Sequence, residues 1–469
     1  MSEHGINPNP IMAGAAQVDI TPQVGVHLAG SWGVYRPAKL IHDPLHAKAL
    51  VFESGGKRIC LLTLDVTIIT EKYTEMIRQA ASERLGFDPD SVMVHATQTH
   101  SAPPVGHFMV DDDFEGIPPE LEYLRGGNDE YAEWAVERAV RAIGIALAVL
   151  KPVDLGYGRG IEGRVAFNRR AVKRDGTVGM PGPKWEEPLG PTWISHIEGP
   201  IDPELGVLAV RTEDLRLPAL LVNYACHPVH WFTKHTIVSA DWPGSLSAEI
   251  MRAHGRGCVP IIVNGACGNI NPWPPFDPEY KNDCDAMGRT LASTTEKIME
   301  TLEYTNQAAV GFKRRHIGIP LRQLKDSELD WAKGVLEADP TPKWADEEHT
   351  RVEDEWMMAA SVYSVHLMRQ RNDHLPYEIQ VLRVGDAAIV GLPGEPFVEL
   401  QLAIKAASPA RFTHVAHCTT HYTGYIPTAE AFARGGHEAT TRYWAKLVPE
   451  AAETIIKGAV DLMREVFGK

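Results

Sequence analysis

Apolar runs in this chain repeatedly stop at short polar segments, and that habit constrains its fold more than any other feature. Thr97-Gln98-Thr99-His100-Ser101-Ala102-Pro103, Cys226-His227-Pro228-Val229-His230, Gly391-Leu392-Pro393-Gly394-Glu395-Pro396 and Tyr422-Thr423-Gly424-Tyr425 each follow a strand-like apolar stretch. A scaffold that ends several strands in His, His, Glu and Tyr offers nitrogen and oxygen ligands to a hard or borderline cation such as zinc. Taken singly, each segment reads as a capped loop or a turn. Together they predict a metal-dependent hydrolase.

The intervening sequence alternates between strand and helix. Residues 48–53 and 58–64 predict a hairpin turning at Gly55-Gly56. Over 70–85, Tyr73, Met76, Ile77, Ala80 and Ala81 recur at helical spacing. A short buried strand is expected at 91–94, and a long helix over 129–150 capped by Asn128 or Asp129. Residues 206–211 and 218–224 predict a second hairpin, and 260–263 a core strand entering a Gly-rich loop. A third hairpin, 379–384 with 387–391 about Gly385-Asp386, delivers Glu395. The last helical run, 443–467, contains Pro449, where it is expected to bend or begin. Strands ending in functional loops, with helices between them, predict a multi-layer α/β fold of mixed β-sheets flanked by helices.

Composition narrows the function. The 469 residues are 44% apolar, enough for a large core, and the net charge of −15 argues against a nucleic-acid partner. No apolar run reaches the roughly 18 residues of a membrane span. Met1-Ser2-Glu3-His4-Gly5 lacks the basic-then-apolar pattern of a secretory signal, so a cytoplasmic protein is expected. Cys60, Cys226, Cys258, Cys267, Cys284 and Cys418 are widely spaced, which predicts free thiols rather than a zinc ribbon or a disulfide framework. Segments 110–128, 173–203 and 324–374 read as insertions or lids over the site. The last holds Trp331, Trp344, Trp356 and Tyr363, which either pack as core or wall a sugar ring or acyl chain.

Further segments stand in a fixed order: Ala16-Gln17-Val18-Asp19-Ile20-Thr21-Pro22, His42-Asp43-Pro44-Leu45, Asp65 after its strand, Phe167-Asn168-Arg169, Ser239-Ala240-Asp241 and Gly265-Ala266-Cys267-Gly268-Asn269-Ile270-Asn271-Pro272. In that order they resemble the neutral/alkaline, non-lysosomal ceramidases, zinc amidases that cleave the N-acyl bond of ceramide. The resemblance implies a single ceramidase-like catalytic domain over 1–469, with zinc held at the places of Gln98, His227, Glu395 and Tyr425. Family spacing favours Tyr425 over Tyr422 as the ligand. It also implies that His100 and Arg169 stabilise the tetrahedral oxyanion, and that Asp65 and Asp241 fix the orientation of the His ligands. Asn271 stands where the family has a serine, and His437 where it has a tyrosine.

The departures from the family are informative. Its first His ligand is Gln98 here, a neutral amide that donates poorly to zinc beside imidazole. Either Gln98 coordinates weakly, or His100, His230 or His235 takes its place, or the metal is different or absent. Relatives carry a further immunoglobulin-like domain, and with about thirty residues after His437 that domain is expected to be missing. These changes imply a small-molecule, lipid or glycoconjugate substrate other than ceramide itself. Two alternatives stand beside this reading. One is a cysteine hydrolase using Cys267, at the end of a strand and between Gly residues; the other is a non-catalytic glycan- or lipid-binding relative.

Overall fold

The computed structural model describes residues 10–183, 193–232, 236–277 and 279–469. Three sheets carry the core. The first runs Val92–Ala96, Lys57–Leu64, His46–Ser54, Met12–Asp19 and Lys151–Pro152 in spatial order; the second runs Val259–Asn264, Ala219–Tyr224, Glu204–Arg211, Asp154–Ile161 and Tyr304–Thr305. The third runs Val310–Pro320, His374–Val384, Ala387–Gly391 and Phe412–Ala416. All three repeat one local plan. An antiparallel hairpin leads into a strand that pairs in parallel with the next one. Parallel pairing requires a crossover, and the helices Glu71–Leu85, Asp241–His254 and Val398–Ala407 supply it. The expected hairpins at 55–56 and 385–386 both form, and the mixed-sheet α/β architecture is the one the sequence predicts.

The inner faces of the three sheets meet in one apolar cluster that includes Leu50, Leu61, Met93, Leu221, Ile261, Leu382 and Ile389. Each outer face is closed by two helices. Glu71–Leu85 and Asp129–Ala148 cover the first sheet, Asp241–His254 and Cys284–Met299 the second, and Val398–Ala407 and Ala451–Phe467 the third. The Asn128 side chain accepts from Tyr131 N and so caps the helix that follows it. The last helix begins at Ala451, beyond Pro449, because proline has no N–H to donate within a helix.

Segments 110–128 and 324–374 pack against each other rather than as a wall over the site, whereas Met180 of segment 173–203 reaches the central cavity. Segment 324–374 holds two helices, Asp326–Ala338 and Asp354–Arg371. Trp356 is buried among Val110, Phe114, Ile117 and Leu124, so this insertion and segment 110–128 share a satellite core. Trp331 is 37% exposed, and Trp344 stacks on His349. None of these tryptophans lines the central cavity described below. Trp185, in the remaining insertion, lies outside the described residues. All six cysteines are buried and free. Among the described residues no helix is long and apolar enough to cross a membrane.

Candidate active site

The six parallel strands end on one side of the molecule, and the loops that leave them build one cavity. Lys57–Leu64 leads to Thr67 and Ile68, Val92–Ala96 to Gln98 and His100, and Val259–Asn264 to Asn271. Ala387–Gly391 leads to Glu395, and Phe412–Ala416 to Tyr422 and Tyr425. Ala219–Tyr224 leads to His227, which reaches the cavity through Glu395. Open α/β sheets place their ligands at the carboxyl ends of strands for this reason: every loop there departs in the same direction. The cavity, about 210 Å³, is also lined by Arg169 and His437. Strands Glu395–Pro396 and Tyr425–Ile426 pair in parallel and set Glu395 opposite Tyr425.

His227 and Glu395 form the centre of the polar floor. His227 Nδ1 lies 3.0 Å from the Ile270 carbonyl, which can only accept, so Nδ1 carries the ring proton. Nε2 then faces Glu395 Oε2 at 3.0 Å, with both groups buried. Two acceptors at that distance require a positive centre between or upon them, either an imidazolium proton or a metal cation. Tyr422 donates to the other carboxylate oxygen at 2.6 Å. Burial raises the Glu395 pKa, but the bonds from His227 and Tyr422, with Arg169 nearby, outweigh it and hold the carboxyl well below its ordinary range. Gln98 adds an amide oxygen to the same cavity and Tyr425 a phenol oxygen. One imidazole, one carboxylate and two neutral oxygens fit a divalent cation, with harder character than the usual imidazole-rich zinc set.

A cationic arm reaches the floor from the other side. Arg169 Nε donates to Glu438 at 2.8 Å and Nη1 to Asn271 Oδ1 at 3.3 Å. Its Nη2 is buried with no hydrogen-bond partner among the described residues. Glu438 also takes Arg170 Nη1 at 2.7 Å, so one buried carboxylate anchors both arginines. Burial works against the Arg169 charge, yet Tyr425, Glu438 and Glu395 outweigh it and keep the guanidinium protonated. His100 Nδ1 lies 3.2 Å from the Gly30 carbonyl, which leaves Nε2 as the ring's acceptor. Burial, then the neighbouring His227, lower the His100 pKa to about 3, so the ring is neutral at physiological pH. A neutral ring with this tautomer presents a hydrogen-bond acceptor rather than a donor at Nε2, which differs from the oxyanion role the family resemblance implies.

The remaining sequence candidates are placed as follows. Asp65 is not hydrogen-bonded to His227: its carboxylate accepts from His46 N at 3.0 Å and pairs with Lys48 at 3.2 Å. Asp241 orients a histidine, but it is His230 rather than His227, with Nδ1 2.7 Å from Oδ1. His235 lies outside the described residues. Cys267 is fully buried behind the cavity wall, with Sγ 3.7 Å from Gln98 Oε1 and 3.3 Å from His417 Nδ1. Burial pushes its thiol well above the usual range, which keeps it protonated and a poor nucleophile. Glu438 and Tyr422 are the contributors that sequence reasoning missed or set aside. The Arg169-Arg170 pair, which needs a buried carboxylate partner, was the available signal for the first.

Above the floor the walls are apolar and aromatic. Trp32 stacks on His437 at 5.4 Å and on Trp444 at 5.6 Å. Phe108, Met109, Met180, Phe232 and Trp273 complete the lining. The three-sheet α/β scaffold therefore sets a cation-competent, arginine-bearing floor under an aromatic throat. No protein-family model matches the chain. The neutral ceramidase of Pseudomonas aeruginosa is 23% identical over 519 residues, spanning 97% of this chain and 72% of that protein. Its crystal structure superposes with a TM-score of 0.71 at 19% identity, over 98% of this chain and 75% of that one. A ceramidase complexed with C2 gives a TM-score of 0.69 at 18% identity, over 97% and 75%. The chain is thus similar in sequence to one neutral ceramidase and shares the fold of the solved ceramidases.

Proposed function

We propose that this protein is a metal-dependent hydrolase, most simply a zinc enzyme, that cleaves an amide or related acyl bond with water. The observation that carries the reading is the buried, opposed pair of His227 Nε2 and Glu395 Oε2, set beside the unpartnered Arg169 Nη2 on the same cavity. A divalent cation held by His227, Glu395, Tyr425 and Gln98 would supply Lewis acidity and bring bound water toward a neutral pKa. The chain's own residues do the rest. Arg169 presents Nη2 to the oxygen that gains charge as the carbonyl becomes tetrahedral, and Asn271, whose Oδ1 is occupied by Arg169, has its amide N–H groups free to assist. His100, neutral with Nε2 as acceptor, orients the attacking water by accepting a hydrogen bond from it. Glu438 holds Arg169 in place, and Tyr422 holds Glu395.

The substrate follows from the walls. The aromatic throat of Trp32, His437 and Trp444 accepts an apolar acyl or planar group, and the small cavity suits a compact amide, ester or glycoconjugate better than ceramide. An amide and ester panel, run on metal-loaded and chelator-treated protein, tests the reading. Glu395→Gln is expected to lose metal and turnover together. Arg169→Ala is expected to keep its metal and lose roughly 10²–10³ in kcat. Ligand binding without turnover across the panel, in metal-loaded protein, would instead favour the binding-protein alternative.

A further inference from the structure

Among the described residues four tryptophans are buried: Trp242, Trp273, Trp356 and Trp444. An indole N–H can only donate, and a buried one ordinarily finds an acceptor. Three of the four do. Trp242 donates to the Cys226 carbonyl at 3.0 Å, Trp273 to Asn282 Oδ1 at 3.2 Å and Trp356 to the Asp339 carbonyl at 2.8 Å. Trp444 is the exception: it is 4% exposed, and its Nε1 is buried with no hydrogen-bond partner among the described residues. It also lines the central cavity. Its place there is fixed, because Tyr425 N donates to its carbonyl at 2.8 Å and its ring stacks on Trp32 at 5.6 Å. Among the described cavity-lining side chains, Arg169 is the one other that carries a buried, unpartnered polar atom. Two rings link these donors: Arg169 lies over Tyr425 at 5.4 Å, Tyr425 meets His437 at 5.4 Å, and His437 meets Trp444 at 6.1 Å.

We propose that Trp444 Nε1 selects substrates whose group in the aromatic throat carries a neutral oxygen acceptor (an ether, hydroxyl or ketone oxygen) apart from the scissile carbonyl. This deepens the hydrolase reading and rests on it. Two donors left open on one cavity call for two acceptors on the molecule that fills it. Arg169 meets the reacting carbonyl oxygen, and Trp444 meets the second. With two rings between the donors, the second oxygen stands several bonds away from the first. Its charge follows from the surroundings. Arg169 and Glu395 are the charged lining residues, and Glu438 already pairs with Arg169. An indole N–H with no cation of its own beside it suits a neutral oxygen, whereas a carboxylate calls for a charged donor. A plain alkyl chain in the throat would leave the N–H both dry and unbonded, and that penalty is the source of the selectivity.

The test uses the full chain and a series of acyl anilides of one length, in which an ether oxygen replaces each methylene of the acyl chain in turn. An ether can only accept, which isolates the donor role of Nε1. Metal-loaded protein gives kcat/KM, and calorimetry on chelator-treated protein gives affinity without turnover. At one oxygen position wild type is expected to favour the ether over the all-carbon parent by about tenfold. Trp444→Phe keeps an aromatic ring in the stack and removes the N–H, and is expected to erase that preference. No preference at any oxygen position in wild type overturns the proposal, and this arm needs no variant. A preference that survives in Trp444→Phe overturns it equally. The two readings fail separately. Tighter binding of an ether through Trp444 with no member hydrolysed upholds the selectivity and counts against the hydrolase, whereas turnover without preference counts against the selectivity alone.

Discussion

Gln98 departs from expectation twice, in its chemistry and in its backbone. It stands where the proposed reading puts a cation ligand, and its φ is 67° in the left-handed region. Strain of this kind persists only where the surroundings over-determine it, and it clusters at functional sites. Histidine tolerates that region better than most side chains, so Gln98→His places an imidazole there without new backbone conflict. The variant is expected to bind zinc at least about tenfold more tightly, ~1.4 kcal/mol, by competition against a fluorescent chelator. Unchanged affinity would mean that the Gln98 side chain does not reach the ion. At this scale the sequence was legible where chemistry is local. His227, Glu395 and Arg169 announce themselves by type and by the strands before them. The partners were not legible: Glu438 meets Arg169 across 269 residues of chain, and Asp241 turns to His230 rather than His227. Pairings of that separation are set by how sheets pack, and no spacing rule encodes them.

Among the elements, the Gly-rich loop after Val259–Asn264 carries the tightest constraint. Its carbonyl at Ile270 holds His227, and its carbonyl at Asn269 accepts from Arg169 N at 2.8 Å. The loop can sit there because Gly268 lacks a side chain. A Cβ at that position would stand 2.4 Å from the Glu395 carbonyl oxygen and 3.0 Å from that of Pro396, both backbone atoms that cannot swing away. Gly268→Ala is therefore expected to lower stability by about 1–3 kcal/mol, measured by urea denaturation. It should also depress turnover, because the displaced backbone is the one that bears Glu395. Normal activity at reduced stability would show that the loop yields without moving the carboxylate. Hairpins and crossover helices were readable from periodicity and turn residues. The insertion tryptophans were not, because apolar aromatics look alike in sequence whether they wall a cavity or fill a satellite core.

At the scale of the whole molecule, stability carries a signature in pH. Lys446 is 1% exposed, and its Nζ donates to the Tyr443 carbonyl at 2.8 Å. Burial lowers its pKa to about 7 from an ordinary value of 10.5, with Asp111 opposing the shift. The folded state thus binds fewer protons than the unfolded chain between those values, so this residue makes stability rise with pH across that window. Below pH 7 the full burden of burying the charge is present. Lys446→Met keeps the length and removes the charge. Its advantage over wild type is expected to be greatest near pH 6 and to shrink toward pH 9, read as the difference between urea midpoints at each pH. A difference that does not vary with pH would place the Lys446 titration elsewhere.

The cavity draws on all three sheets, and this has a consequence for how the protein is made. Gln98 and His100 leave the ribosome early, while Tyr425, which faces Glu395 across a two-residue parallel ladder, leaves near the end. At about 5–20 residues per second, the interval between them is on the order of tens of seconds. During that time the nascent chain displays isolated His, Gln and Glu side chains with no geometry to favour one ion over another. On the proposed reading, selection of a metal would therefore be an event of the finished chain, after translation, and the ion taken up would reflect what the surroundings offer a newly closed protein.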